Sequence, residues 1–97
     1  MTLAEAVSQL AELDIDATLC VRRPWTALSE CRVLNLDITR PMPAELRAEG
    51  MEYFLENHVA QEVLGVFGDR RTSLTEKVAL LIFYAENDAY PEWVYSD

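Results

Sequence analysis

The sequence predicts an α+β domain of two layers, a three-stranded antiparallel sheet packed by helices. Its element order is helix-strand-strand-strand-helix-helix. Three observations predict it. Residues 17–22, 31–38 and 51–56 alternate apolar and polar positions with a period of two, the signature of half-buried strands. Three other stretches, at 3–13, 59–67 and 74–87, carry apolar residues at helical spacing. The strands also follow one another through short connections, which favours antiparallel pairing and leaves the helices to cover one face. At 97 residues, 51% hydrophobic and 26% charged, the chain is expected to form one globular domain over 1–97.

The first helix is opened by Thr2-Leu3-Ala4-Glu5. The Thr oxygen takes an orphan amide and Glu reaches back three residues later. Leu3, Ala6, Val7, Leu10 and Leu13 or Ala11 continue its apolar stripe to about Asp14. In the first strand Ala17, Leu19 and Val21 share one side, and Thr18, Cys20 and Arg22 the other. Pro24 stops it, and Arg23 to Ser29 form a loop carrying Trp25. The second strand runs from Cys31 to Ile38, with Leu34, Leu36 and Ile38 as its apolar face and Arg32 in the same register. Arg40-Pro41-Met42-Pro43 is a turn, and Ala44 to Glu49 make one or two helical turns closed by Gly50.

Met51, Tyr53 and Leu55 alternate with Glu52, Phe54 and Glu56 as a third strand, the rival being an extension of the helix that follows. Asn57 is placed as the N-cap of that helix, whose stripe is Val59, Val63, Val66 and Phe67 and whose stop is Gly68. Ser73-Leu74-Thr75-Glu76 is a second capping box. It opens a helix reaching about Asn87, and Pro91 blocks further extension.

Charge excludes several function classes. Seventeen acids against eight bases give a formal net charge of −9. Nucleic-acid backbones and anionic membranes are bound through Lys and Arg, so neither is the expected partner. The longest uncharged apolar run, Val78 to Ala85, falls short of the roughly 18 residues a membrane span requires. Glu5, Ser8, Gln9 and Glu12 break up the apolar start that a secretory signal needs. The expected location is the cytoplasm. Cys20 and Cys31, separated by ten residues, are read as two reduced, packed thiols, although neighbouring strands would also permit a disulfide.

Signals for catalysis are few. Ser8, Ser29 and Ser73 sit in no nucleophile elbow, and there is no Gly-rich phosphate loop and no HExxH. The single histidine, His58, has no adjacent nucleophile. The expectation is a protein without catalytic activity, cofactor or metal.

Two features stand out instead. In the last helix Leu74, Val78, Leu81, Ile82 and Ala85 form a core stripe, yet Leu80, Phe83 and Tyr84 extend the apolar surface well beyond it. A helix apolar nearly all round is either wrapped by its own chain, here by the tail containing Trp93 and Tyr95, or covered by a partner. Charge is also unevenly placed, with residues 1–48 at −2 and residues 49–97 at −7. Glu86, Asp88 and Glu92 cluster beside Tyr84, Asn87 and Tyr90, at a helix end whose dipole opposes carboxylates. These residues are the candidate partner-binding site. Glu86, Asp88 and Glu92 would steer a basic protein, and Tyr84, Tyr90 and Trp93 would anchor it. A divalent-cation site on the three carboxylates, serving a metal-assisted hydrolase, is the remaining enzymatic option.

Four stretches resemble a family of short, uncharacterised bacterial proteins: Ser29-Glu30-Cys31-Arg32-Val33-Leu34, Gly50-Met51-Glu52-Tyr53-Phe54-Leu55, the set Val59, Gln61 and Val63, and Phe83-Tyr84-Ala85-Glu86-Asn87-Asp88-Ala89-Tyr90. The last is similar to a helix-ending YY-x-x-NDAF pattern, with Phe83 here preceding a single Tyr84. The resemblance implies no activity. In size and acidity the chain is similar to immunity proteins that neutralise bacterial toxins. The expected function is therefore a protein-binding module, of immunity or antitoxin type, that docks a basic partner. The alternative is a homodimeric structural or regulatory domain, self-associating through the helix containing Leu80 and Phe83.

Overall fold

The structure, a computed structural model, describes residues 1–36 and 42–95. Its sheet has the strand order β2-β1-β3, antiparallel throughout, with β1 at Thr18–Arg22, β2 at Cys31–Leu34 and β3 at Met51–Glu56. The helices are α1 (Leu3–Ser8), α2 (Ala44–Ala48), α3 (Asn57–Leu64) and α4 (Leu74–Asn87), with 3-10 turns at Leu10–Glu12, Gly65–Phe67 and Glu92–Tyr95. This is a small α+β fold of the kind the polarity pattern predicts. Residues 37–38 of the expected second strand and Arg40-Pro41 of the expected turn lie outside the described residues.

Local sequence sets both major helix starts. Thr2 Oγ1 accepts the Glu5 amide and Glu5 accepts the Thr2 amide, each at 3.1 Å. Ser73 and Glu76 repeat the arrangement at the head of α4. Thr2 holds the Glu5 carboxyl below its ordinary range through these bonds. The first helix is shorter than its apolar stripe. After Ser8 it tightens into a 3-10 turn, Leu10–Glu12, and the chain bends before β1.

The central strand β1 is buried on both faces, from Thr18 through Val21. Register places Leu19 opposite Val33 and Leu55, and Val21 opposite Cys31. Leu19, Val21, Cys31 and Leu55 join Leu3, Val7, Leu10, Ala60, Val63, Val78 and Leu81 in one core cluster. Opposite Cys20 the register slips. Leu19 faces Leu55 but Cys20 faces Tyr53, so Phe54 is a bulged extra residue. Consecutive Phe54 and Leu55 are both buried, while Tyr53 stays 51% exposed. The expected strict alternation of β3, with Phe54 among the outward positions, is corrected by this bulge. Trp25 closes that end of the core. It meets Phe54 edge-on at 4.9 Å and donates its indole N–H to the Val21 carbonyl at 3.1 Å.

The helix α4 is covered over more than half of its circumference. Val78, Leu80 and Leu81 are buried and Ile82, Tyr84 and Ala85 half-buried. At about 100° per residue these positions span roughly 200°. α1 and α3 both pack on it, and the C-terminal 3-10 turn returns to place Val94, fully buried, in the same cluster. Leu80 is therefore a core residue rather than part of a surface stripe, which corrects its expected role in self-association. Among the described residues no helix is long and apolar enough to cross a membrane.

Asn57 is also placed differently from expectation. Glu56 holds the N-cap position of α3 and Asn57 is its first helical residue. The Asn57 side chain is fully buried. Its Nδ2 donates to the carbonyls of Leu10 at 2.9 Å, Asp14 at 3.0 Å and Leu13 at 3.3 Å. Its Oδ1 accepts from Gln61 Nε2 at 3.0 Å, and Gln61 also donates to Leu10 at 3.2 Å. The Asn57 amide donates to Ala17 O and the His58 amide to Ile15 O. One side chain thus gathers three carbonyls where the first helical segment ends. Replacing it by Ala or Leu removes all three bonds and the Gln61 acceptor; the Leu10 and Asp14 carbonyls keep backbone donors in Leu13 and Ala17, whereas the Leu13 carbonyl loses its donor, and each unmet buried group costs about 1–3 kcal/mol. We expect Asn57→Ala and Asn57→Leu each to lose about 2–4 kcal/mol in urea unfolding. A loss below ~1 kcal/mol would contradict the clamp.

Both cysteines are free and buried. Cys31 is opposite Val21 on the core face, whereas Cys20 is opposite Arg32, one position out of phase. They point to opposite faces of the sheet, which rules out a bridge. Burial pushes the Cys20 thiol up to about 11 and Cys31 up to about 12, from an ordinary value of 9.0. The folded chain then keeps two protons that the unfolded chain releases above pH 9. Stability is expected to be unaffected by these groups below that point and to fall between pH 9 and 12, a loss that Cys20→Ala with Cys31→Ala reduces. Denaturant midpoints across that range measure it, and an unchanged slope in the double variant would contradict the assignment.

Candidate functional site

The six residues singled out by the sequence sit at the end of α4 and in the tail that follows. The helix stops by a specific mechanism. Asp88 takes the left-handed conformation (φ 52°), and its amide donates to the Tyr84 carbonyl at 2.7 Å. Asn87 Nδ2 donates to the Phe83 carbonyl at 2.9 Å. Asp and Asn tolerate these positions because their short polar side chains bond locally. The chain then reverses, and Tyr90 packs on Tyr84 with ring centroids 5.4 Å apart.

Beyond Pro91, which is buried, the tail is fixed at a second point. Trp93 stacks on Phe67 at 6.2 Å and 29°. Arg70 Nη2 donates to the Val94 carbonyl, and its guanidinium lies 5.7 Å from the Phe67 ring. The stretch 83–90 therefore ends a helix and folds a tail, which accounts for an Asn-Asp pair and a following aromatic in physical terms.

The candidate residues divide accordingly. Tyr84 and Tyr90 are half-buried against each other and the core cluster. Glu86, Asp88 and Glu92 are exposed, and Trp93 is 42% exposed. Among the described residues no group of three or more His, Cys, Asp or Glu could hold a metal ion, so the three carboxylates do not converge as cation ligands. The hydroxyls considered for nucleophilic chemistry are engaged locally: Ser8 donates to Glu5 O, Ser29 to Pro24 O and Ser73 to Glu76. His58 is exposed beside Glu56, its Nδ1 3.4 Å from a carboxylate oxygen.

Sequence reasoning gave Phe83 to the self-association face and missed it as the centre of an acidic surface. Glu76, Ala79, Phe83, Glu86 and Asn87 lie at helical spacing and all are exposed. They form the one side of α4 that neither α1, α3 nor the tail covers. Phe83, 37% exposed, stands between two carboxylates on this stripe. A signal was present in the sequence, since i, i+3, i+7 and i+10 from Glu76 outline the stripe, but only the burial of Leu80 fixes which side is outward.

No family model, curated protein or solved structure matches the chain. Its function is therefore read from its own surface.

Proposed function

We propose that the protein is a small acidic binding module that docks a basic protein partner on the outer side of α4 and the adjoining tail. The observation that carries this reading is the pair of large apolar side chains left at the surface there. Phe83 and Trp93 are 37% and 42% exposed, in an element set whose other exposed side chains include the carboxylates Glu76, Glu86, Asp88 and Glu92. Exposed carboxylates raise the encounter rate with a positively charged protein, and desolvated aromatics hold the complex once formed. Tyr84 and Tyr90 serve by fixing the tail that displays Trp93. Resemblance to a family of short bacterial proteins and likeness in size and acidity to immunity proteins favour a cytoplasmic, toxin-neutralising role, with no catalytic step, cofactor or metal. Self-association through the same stripe is the alternative, and Phe83 rather than Leu80 would then form the contact.

Immobilised protein incubated at low salt with a lysate of the cells that carry the gene is expected to retain a basic protein in stoichiometric amount. Binding should weaken as salt shortens the Debye length below about 10 Å. Glu86→Lys with Asp88→Lys should slow association. Phe83→Ala and Trp93→Ala should speed dissociation, each costing about 2 kcal/mol of affinity. Recovery of no basic protein, or binding indifferent to salt and to these substitutions, overturns the reading. A dimer by light scattering that Phe83→Ala abolishes would establish the alternative.

A further inference from the structure

The aromatic anchor on the tail is carried by a single 3-10 turn, Glu92–Tyr95. A turn of that length has no stability of its own in water, because nucleation fixes several residues for one hydrogen bond. Tertiary contact holds it instead. Pro91 is buried, and the Val94 side chain is fully buried in the core cluster. The Val94 amide donates to Pro91 O at 3.2 Å. These inward contacts locate the turn, but they do not choose the pose of Trp93, which lies beside them at 42% exposure.

That choice falls to Arg70. Its Nη2 donates to the carbonyl of Val94, the residue that follows Trp93. Its guanidinium lies 5.7 Å from the Phe67 ring, and Trp93 stacks on that same ring at 6.2 Å with the planes 29° apart. One cation thus ties the backbone next to Trp93 to the ring on which the indole rests. Arg70 and Phe67 are themselves brought together by a turn, in which the Arg70 amide donates to Phe67 O at 3.0 Å and Gly68 takes φ 57°. A planar guanidinium can bond a carbonyl and lie near an aromatic ring together, whereas a lysine offers a point charge on a flexible stem. We infer that Arg70 is a positioning residue for recognition: by holding the Val94 carbonyl beside Phe67 it keeps Trp93 in one pose, so that the tail meets a partner preformed. The inference rests on the partner surface proposed above. A preformed anchor spares the complex the roughly two- to tenfold loss of affinity that immobilising one large side chain costs.

Relaxation of the two tryptophan indole N–H groups in ¹⁵N-labelled protein tests the positioning without any partner. Trp93→Phe assigns the two signals. Trp25 is the internal standard, because its indole N–H donates to Val21 O at 3.1 Å and its ring meets Phe54 edge-on. Trp93 is expected to match Trp25, with an order parameter near the value of about 0.85 typical of a rigid group. Arg70→Gln should bring Trp93 below about 0.6, the flexible range, and leave Trp25 unchanged. Arg70→Lys should fall between. A Trp93 that is already mobile in the unaltered protein, that ignores Arg70→Gln, or that loses order in parallel with Trp25 overturns the inference. The basic protein retained on the immobilised chain gives the second readout. Removing a cation from an acidic protein should by charge alone favour a basic partner. Arg70→Gln is nevertheless expected to weaken binding roughly two- to tenfold, and unchanged or tighter binding overturns the inference. An empty column overturns the partner surface itself, and the relaxation results then decide the role of Arg70 alone.

Discussion

A single buried amide ties together the two chain junctions at one end of this fold's sheet. Asn57 stands where β3 turns into α3, and its side chain reaches the carbonyls of Leu10, Leu13 and Asp14, which belong to the end of the first helical segment. The helix–strand junction before β1 and the strand–helix junction after β3 lie side by side at the same end of the sheet, where Thr18 faces Glu56, and are thereby fixed together. Backbone bonds from Asn57 to Ala17 and from His58 to Ile15 continue the β-ladder past Glu56 and leave no slack between them. Because α1 and α3 are positioned by this contact, so is the trough they offer to α4. An isolated helix of the length of α4 is marginal in water, and its stability comes from that packing. Among the described residues no buried side-chain polar atom lacks a partner, so the polar content of the core is ordered rather than merely tolerated.

The placement of α4 separates structure from recognition on one helix. Roughly 200° of its circumference is committed to α1, α3 and the tail, given about 100° per residue. The remainder is Glu76, Ala79, Phe83, Glu86 and Asn87. Residues that looked like a binding motif in sequence turn out to have work on the inward side or at the helix end. Asn87 and Asp88 cap carbonyls, and Tyr90 seats on Tyr84. What remains outward is a smaller and more sharply acidic surface with one aromatic at its middle and Trp93 on the tail.

The sequence was most legible where cause and effect are close along the chain. Thr2 with Glu5 and Ser73 with Glu76 declare helix starts because capping is settled within three residues. The existence of three strands is likewise visible in the amino acids themselves, although the bulge at Phe54 breaks the alternation of β3. Legibility ended where the deciding partner is remote. An Asn before an apolar run looks the same whether it caps its own helix or bonds carbonyls 43 to 47 residues away, as Asn57 does. The Phe54 bulge is decided by pairing with β1, and the burial of Leu80 by a core cluster whose members are as remote along the chain as Leu3.

The most direct measurement of the functional account is site-specific photo-crosslinking in the cells that carry the gene. A photoreactive residue would be placed at Ala79 or Phe83 on the outer side of α4. The same residue at Ile15 and Leu28, exposed at 49% and 81% on other surfaces, supplies the comparison. The account predicts that positions 79 and 83 form a covalent adduct with one basic protein and that positions 15 and 28 do not. Adducts arising equally from all four positions, adducts from 15 or 28 alone, or no adduct from 79 and 83 would contradict it.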